Sequence, residues 1–258
     1  LNNIKKGAMT FLHHYIGNPL LSYILRTFFK INVKDAHSGF RVIKRKVLEK
    51  LQLKGTGMEL ASEMLIKAAK NKLKIKEVPV NYYPRKGESK LNSFKDGWRH
   101  LRFMLLYSPN YLFLIPGLFL FLFGFIIMLI LLNGPIKLFN INLDIHPMIV
   151  GSLFTIIGYQ IILLWLYAKT YAVNYLNEKD RIINLINKIF NLERGILFGF
   201  LILFLGFILN FKILLEWINS DFGSLYELRT AIFALTLLII GVQSIFSSFF
   251  LSILGLKR

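Results

Sequence analysis

Residues 111–132 read YLFLIPGLFLFLFGFIIMLILL, without a single charge. A bilayer's hydrocarbon core is about 30 Å thick, and a helix needs about 20 apolar residues to cross it. This stretch decides the architecture, because it predicts a chain that enters a membrane. Three further windows repeat the signal. Residues 148–168 (MIVGSLFTIIGYQIILLWLYA) carry Gln160 as their only strongly polar side chain. Residues 195–215 are broken only by Asn210 and Lys212 near one end, where a lysine stem can run back to the interface. Residues 230–254 are uncharged, with Gln243 and several serines. Core helices of a soluble protein would be shorter and amphipathic.

The composition agrees. The chain has 258 residues, 55% hydrophobic and 15% aromatic, with a formal net charge of +18; its mean hydropathy is +0.53. That much apolar side chain leaves too little polar surface to cover a soluble domain, and it is too rich in Leu, Ile and Phe for a disordered one. The absence of cysteine excludes disulfide scaffolds, zinc ribbons and thiolate nucleophiles. Leu1 opens the chain without a secretory n-region, and the expectation is that the sequence is a piece of something longer.

Charge divides the chain unevenly. Residues 1–110 hold 22 of the 32 Lys and Arg and 7 of the 14 acids, a basic head before an apolar tail. In the tail, residues 133–147 have one base, Lys137, and 216–229 have one, Arg229. Residues 169–194 have Lys169, Lys179, Arg181, Lys188 and Arg194, and the chain closes on Lys257-Arg258. By the positive-inside rule the head, the 169–194 connection and the C-terminus face the cytoplasm of an integral, multi-pass cell-membrane protein. Within residues 176–193, Ile182, Leu185, Ile186, Ile189 and Phe190 recur at helical spacing and predict a helix lying on the inner surface.

The head reads as mixed α and β. Helices are predicted over 19–30, opened by Asn18-Pro19, over 46–51, over 59–71, and as an amphipathic segment over 93–107. Strands are predicted at 40–43 and at 73–80 (LKIKEVPV), where Pro79 suits an edge. No glycine-rich phosphate loop, Walker lysine, GxGxxG or Asp-x-Asp is present.

Three polar clusters could carry chemistry. Asp35-Ala36-His37-Ser38-Gly39-Phe40-Arg41 places a carboxylate, an imidazole, a hydroxyl and a guanidinium around a glycine, fit for a phosphorylated or hydroxylated ligand. The plainer alternative is an Asx-type turn. Glu59 and Glu63 share one helix face and could act as an acid–base pair, or simply favour the helix start and pair with Lys67. Arg85-Lys86-Gly87-Glu88-Ser89-Lys90 could clamp a diphosphate or form a basic loop beside anionic lipid. His13, His14 and His100 lack the spacing of a metal site. The dispersed bases and the lack of a recognition motif argue for membrane lipids and against nucleic acid.

The motifs Lys6-Gly7-Ala8-Met9, His14 to Ser22, Asp35 to Arg41, Gly57 to Met64, Tyr83 to Leu91 and Asp96 to Arg102 come in the order of the polyprenyl-phosphate (dolichyl-phosphate) hexose synthases. The chain resembles these inverting family 2 glycosyltransferases of GT-A fold over roughly residues 5–110. The resemblance implies a fold class of α/β, the C-terminal part of a Rossmann-like GT-A domain, followed by an α-helical bundle of four transmembrane helices. It implies residues 1–91 as that domain portion, 92–110 as an interfacial helix, and 111–258 as the membrane domain with spans near 111–132, 148–168, 195–215 and 230–254.

By position it implies Asp35 and Glu63 as catalytic carboxylates, Arg41, Arg85, Ser89 and Lys90 as donor or phosphate ligands, and Lys6, His14, Asn18 and Ser22 on the acceptor-lipid side. The family's N-terminal half, with its nucleotide strand and metal-binding Asp-x-Asp, has no counterpart here. No metal ligand is therefore expected in this chain: Mg²⁺ or Mn²⁺ would belong to that half, and the fragment alone would be inactive. The implied reaction is one inverting displacement by a polyprenyl or dolichyl phosphate oxygen on a nucleotide sugar of the GDP-mannose or UDP-glucose kind. A phosphate is already ionised at neutral pH, so positioning by Arg and Lys matters more than deprotonation. The alternative is a protein for flipping lipid-linked sugars or for assembly, including as a homo-oligomer, with a non-catalytic head. Lys212, at the edge of a span, is thin support for a transport path.

Overall fold

A computed structural model describes residues 5, 8, 11–36, 38–53, 55, 57, 59–81, 83–84, 87, 93–138, 141–175, 180–189, 191–223 and 227–255. The chain divides into two compact units, Leu1–Tyr111 and Leu112–Arg258.

The first unit is helical among its described residues. A π-helical turn, Leu12–Gly17, runs into α1, Asn18–Phe29. Pro19 sits in the first turn of α1, where its missing N–H has no helical acceptor to lose. Then come α2 (Arg45–Leu51), α3 (Leu60–Lys70) and α4 (Ser93–Leu106). Leu25 of α1, Leu65 and Ile66 of α3 and Met104 of α4 close a small core around Ile31, Val33 and Ala36. The spacing of the apolar residues predicts these helices to within a residue or two. The strands predicted at 40–43 and 73–80 form no ladder among the described residues. A strand needs a hydrogen-bonded neighbour, and here Phe40, Val42, Val78 and Val80 are exposed instead.

The second unit begins where a π-helical turn, Asn110–Leu114, hands over to α5, Ile115–Leu131, again at a proline, Pro116. A two-stranded antiparallel hairpin follows, β1 (Ile136–Leu138) and β2 (Ile141–Leu143), in the register Ile136↔Leu143 and Leu138↔Ile141. It lies in the 133–147 connection and was not foreseen from periodicity, since three residues are too few to show alternation. Next are α6 (Ile145–Tyr175), α7 (Arg181–Ile189), α8 (Leu192–Asn219) and α9 (Leu228–Gly255). Among the described residues, four helical stretches are long and apolar enough to cross a membrane: Asn110–Leu131, α6, α8 and α9.

α5 packs on α6, α8 on α9, and α6 on α9. Lipid tails are as apolar as leucine, so such helices associate by close backbone approach and by hydrogen bonds. Gly158 of α6 meets Gly117 and Phe121 of α5: a Cβ there would lie 2.7 Å from Phe121 Cα and 2.8 Å from the Gly117 oxygen. Gly199 of α8 does the same against Gly241 and Ile245 of α9. Between α6 and α9 the hydroxyls of Ser152 and Thr236 lie 2.7 Å apart, and those of Tyr159 and Ser244 2.5 Å apart. One end of the bundle is tied by an ion pair from Arg229 to Asp144. The other is tied by Asn174, which donates to the Leu254 carbonyl at 2.9 Å.

Candidate functional site

The 35–41 loop is bound on every side. The Asp35 carboxylate accepts from the Ser38 N–H three residues on (3.1 Å). It also accepts from the Asn18 side-chain amide on α1 (3.3 Å). One turn further along α1, the Ser22 hydroxyl accepts from the Ala36 N–H (3.1 Å). The Glu77 carboxylate receives the Lys34 N–H (2.9 and 3.0 Å) and the Asp35 N–H (3.1 Å). Amides from its own loop and from Asn18 thus fix the carboxylate.

Arg41 closes the loop from within. Its Nε donates to the Ser38 carbonyl (2.9 Å), Nη2 to the Ala36 carbonyl (2.7 Å) and Nη1 to the Ala61 carbonyl on α3 (2.5 Å). A guanidinium is suited to this because its donors form a rigid planar fork. Burial lowers the Arg41 pKa from its ordinary value while the Asp35 charge opposes. Through Ala36 and Ala61 this one side chain links the loop of Asp35 to the helix of Glu63.

Glu63 is buried, 1% exposed. Its carboxylate accepts the Gly55 N–H at 2.7 Å and pairs with Lys67 Nζ at 2.7 Å, one turn on. The Lys67 ammonium also donates to the Gln52 carbonyl at 2.5 Å. Next to Glu63, the Ser62 hydroxyl meets His100 Nδ1 of α4 at 2.9 Å, both groups buried. Burial lowers the His100 pKa, the Asp96 and Glu59 charges oppose this, and Arg41 adds to it.

Asn18, Ser22, Asp35, Arg41 and Glu63 thus belong to one connected cluster built from α1, the 35–41 loop and α3. His14 stands in the π-helical turn before α1, its ring edge-on to Tyr15 at 4.4 Å. Lys6, Arg85, Ser89 and Lys90 lie outside the described residues, as does His37. Lys5 Nζ lies 4.6 Å from the centre of the Tyr83 ring.

The Glu63–Lys67 pair that the i, i+4 spacing predicts is present, whereas nothing in the sequence assigned a site role to Ser62, His100 or Glu77. Asp96 and His100 at i and i+4 offered a faint signal; nothing local marked Glu77, whose partners lie some forty residues away. Among the described residues no group of three or more His, Cys, Asp or Glu could hold a metal ion. Asp35 and Glu63 are each engaged by neighbours of their own. These residues do not fit a divalent cation.

Residues 166–255 match the family described as glycosyltransferase family 2 C-terminal transmembrane region. The chain is 37% identical over 252 residues to the low-salt glycan biosynthesis hexosyltransferase Agl6 of Haloferax volcanii, covering 98% of this chain and 61% of that protein. It is 29% identical over 97 residues to the glycosyltransferase AglJ of the same organism, covering 37% of this chain and 32% of AglJ. It is 33% identical over 98 residues to that organism's dolichyl-phosphate hexose transferase, covering 37% of this chain and 42% of the relative. The chain therefore spans about three-fifths of the length of Agl6 and less than half of the other two. No solved structure matches it.

Proposed function

We propose that the chain belongs with the family 2 glycosyltransferases that carry a C-terminal transmembrane region, and that it serves the transfer of a hexose from a nucleotide sugar to a polyprenyl or dolichyl phosphate. The observation that carries the reading is the convergence, in the first unit, of residues from separate motifs. Asn18 and Ser22, Asp35 to Arg41, and Ala61 to Glu63 are bound into one cluster. The names of Agl6 and of the dolichyl-phosphate hexose transferase support the same chemistry. The head, residues 1–91, is then the C-terminal portion of an α/β GT-A domain, 92–110 an interfacial helix, and 111–258 the membrane domain. The head faces the cytoplasm, where nucleotide sugars are made and where the positive-inside rule places it.

Asp35, fixed by the Ser38 amide and by Asn18, orients the hydroxyl or phosphate groups brought to it. Arg41 holds that loop against α3, and Glu63 with Lys67 fixes the 52–55 segment to the same helix. Arg85, Ser89 and Lys90 hold the donor diphosphate, and Lys6 and His14 lie toward the lipid phosphate. The acceptor oxygen attacks the anomeric carbon, the bond to the nucleoside diphosphate breaks, and the configuration inverts. The divalent cation of this chemistry takes ligands from outside the described residues.

The test is a transfer assay on membranes carrying the full-length gene product, with radiolabelled GDP-mannose or UDP-glucose and a polyprenyl phosphate. Label in the organic-extractable lipid is the expected result. Arg85→Ala should lose more of it than Glu59→Ala, because Arg85 is assigned to the diphosphate and Glu59 only to the helix start. Equal or reversed losses remove the clamp assignment. Label in lipid from neither donor, with movement of a preformed lipid-linked sugar across the bilayer, would put the flipping alternative in its place.

A further inference from the structure

α7 is nine residues long, amphipathic, and placed between two membrane spans. Five residues separate it from the end of α6 at Tyr175, and two separate its Ile189 end from Leu192, where α8 begins. Chain connectivity therefore holds α7 at the boundary of the bilayer. Its start is fixed more closely. The Asp180 carboxylate caps the helix, accepting the Ile182 N–H (2.9 Å) and the Ile183 N–H (3.3 Å). The same carboxylate pairs with Lys169 Nζ of α6 at 2.7 Å, and only 13% and 18% of the two side chains are exposed.

Lys169 precedes the end of α6 by six residues, so the tie draws the start of α7 back alongside α6 by roughly 9 Å. A helix of 31 residues is about 46 Å long, and exceeds a hydrocarbon core of about 30 Å by the depth of a headgroup layer. Lys169 lies in that excess. Around α7, Ile183 is fully buried, while Ile182 and Leu185 are 54% and 57% exposed. The polar Asn184 points to another side of the same helix.

We propose that α7 lies in the plane of the membrane at headgroup depth, with Ile182 and Leu185 in lipid and Asn184 toward water, fastened to α6 by Lys169 and Asp180. Its partner is a bilayer surface. Charge supports this occupant. The connections at this end, with the C-terminus, carry Lys169, Lys179, Arg181, Lys188, Arg194, Lys257 and Arg258 against Glu178, Asp180 and Glu193. The opposite end carries Lys137 and Arg229 against Asp144, Glu216, Asp221 and Glu227. An excess of bases beside an apolar stripe suits anionic lipid. The proposal rests on the four spans and is independent of the chemistry of the head.

The chain has no cysteine, so single-cysteine variants Ile182→Cys, Asn184→Cys and Leu185→Cys can each carry one nitroxide label. The whole protein is reconstituted into vesicles of phosphatidylcholine and phosphatidylglycerol at three to one. Collision rates are then measured with oxygen, which partitions into lipid, and with a water-soluble nickel chelate. Oxygen should dominate at 182 and 185 by several-fold over the ratio at 184, where nickel should dominate. Nickel dominance at all three positions overturns the proposal. So does shielding of 182 and 185 from both reagents, or spin–spin broadening within either singly labelled sample, since the first means that protein covers this face and the second that another copy of the chain does. In an Asp180→Asn background the oxygen preference at 182 should weaken; an unchanged profile overturns the role given to the tie.

Discussion

Arg41→Lys keeps the positive charge at position 41 and removes the planar fork, which makes it a sharp test of what the guanidinium does. Arg41 reaches three carbonyls, those of Ser38, Ala36 and Ala61, at 2.9, 2.7 and 2.5 Å from three different nitrogens. A lysine ammonium at the end of an unbranched stem can satisfy one of them, so two charge-assisted bonds are lost. Such a bond contributes about 1.5–3 kcal/mol when buried. The loop is half-buried and water replaces part of what is lost, so the total is about 2–3 kcal/mol. At 1.4 kcal/mol per factor of ten, the loop should open about 30- to 100-fold more often. Hydrogen exchange by mass spectrometry on the whole protein in lipid nanodiscs reads this directly. Peptides spanning 34–44 should exchange faster by about that factor, with a smaller increase over 59–63. In the transfer assay kcat should fall more than KM for the nucleotide sugar rises. Unchanged exchange together with a raised KM would refute the clasp and make Arg41 a phosphate ligand.

Further outcomes follow from the same contacts. His100 binds a proton more weakly in the folded head than its ordinary value of 6.5 implies. The unfolded chain therefore holds more protons below that value, and the head should lose stability as pH drops below 6.5 toward the lowered folded pKa. Thermal unfolding followed at pH 7.5 and 5.5 should show the loss, and His100→Asn should flatten it. Desolvation acts to raise the Asp180 pKa, but Lys169 and the Ile183 and Ile182 amides outweigh it and hold the carboxyl below its ordinary 3.8. Protection of α7 should then persist from pH 8 to pH 5 and disappear only as pH falls through that lowered value; Asp180→Asn should reproduce the loss at neutral pH in hydrogen exchange. Gly158→Ala puts a Cβ against Phe121 and the Gly117 carbonyl, an overpacking that costs about 1–3 kcal/mol. It should lower the aggregation temperature in detergent by several degrees, while Gly39→Ala, with nothing within 4 Å of the added carbon, should leave it unchanged.

The membrane region was the most legible part of the sequence, for a physical reason. In lipid each backbone group must be satisfied within its own helix, so the rule that forms a span is local and its length is set by the bilayer. The windows 111–132, 148–168, 195–215 and 230–254 found their helices because nothing distant had to cooperate. They erred only at the ends: α6 runs on to Tyr175 and α8 to Asn219, since a hydropathy window stops at the first polar residues while a helix does not. The strands at 40–43 and 73–80 depend instead on a neighbour that sequence alternation cannot supply. The pattern LKIKEVPV records a preference, and only a paired partner turns it into a sheet.

The site shows the same distinction at the level of side chains. Asp35, Arg41 and Glu63 could be picked out as chemistry-bearing residues, and helical spacing gave Lys67 as the partner of Glu63, but the partners distant in sequence could not be found this way. The Glu77 carboxylate holds the Lys34 and Asp35 amides from a segment that reads only as a basic alternating strand. Ser62 and His100 join α3 to α4 across 38 residues. Such a cluster places Asp35 by amides, hydroxyls and one guanidinium, with few exposed rotamers to order when a ligand arrives, which is what positioning chemistry requires. The same economy explains why the candidate carboxylates are so fully engaged. A phosphate acceptor is already ionised, so a site acting on it has little need of a base with an unoccupied carboxylate, and more need of a loop that does not move. If that is the division of labour, substitutions of the partners Ser22, Asn18 and Glu77 should lower transfer nearly as much as substitution of Asp35 itself. A loss confined to Asp35, with full activity in Ser22→Ala and Glu77→Gln, would show instead that the carboxylate acts by its own chemistry and that its setting is dispensable.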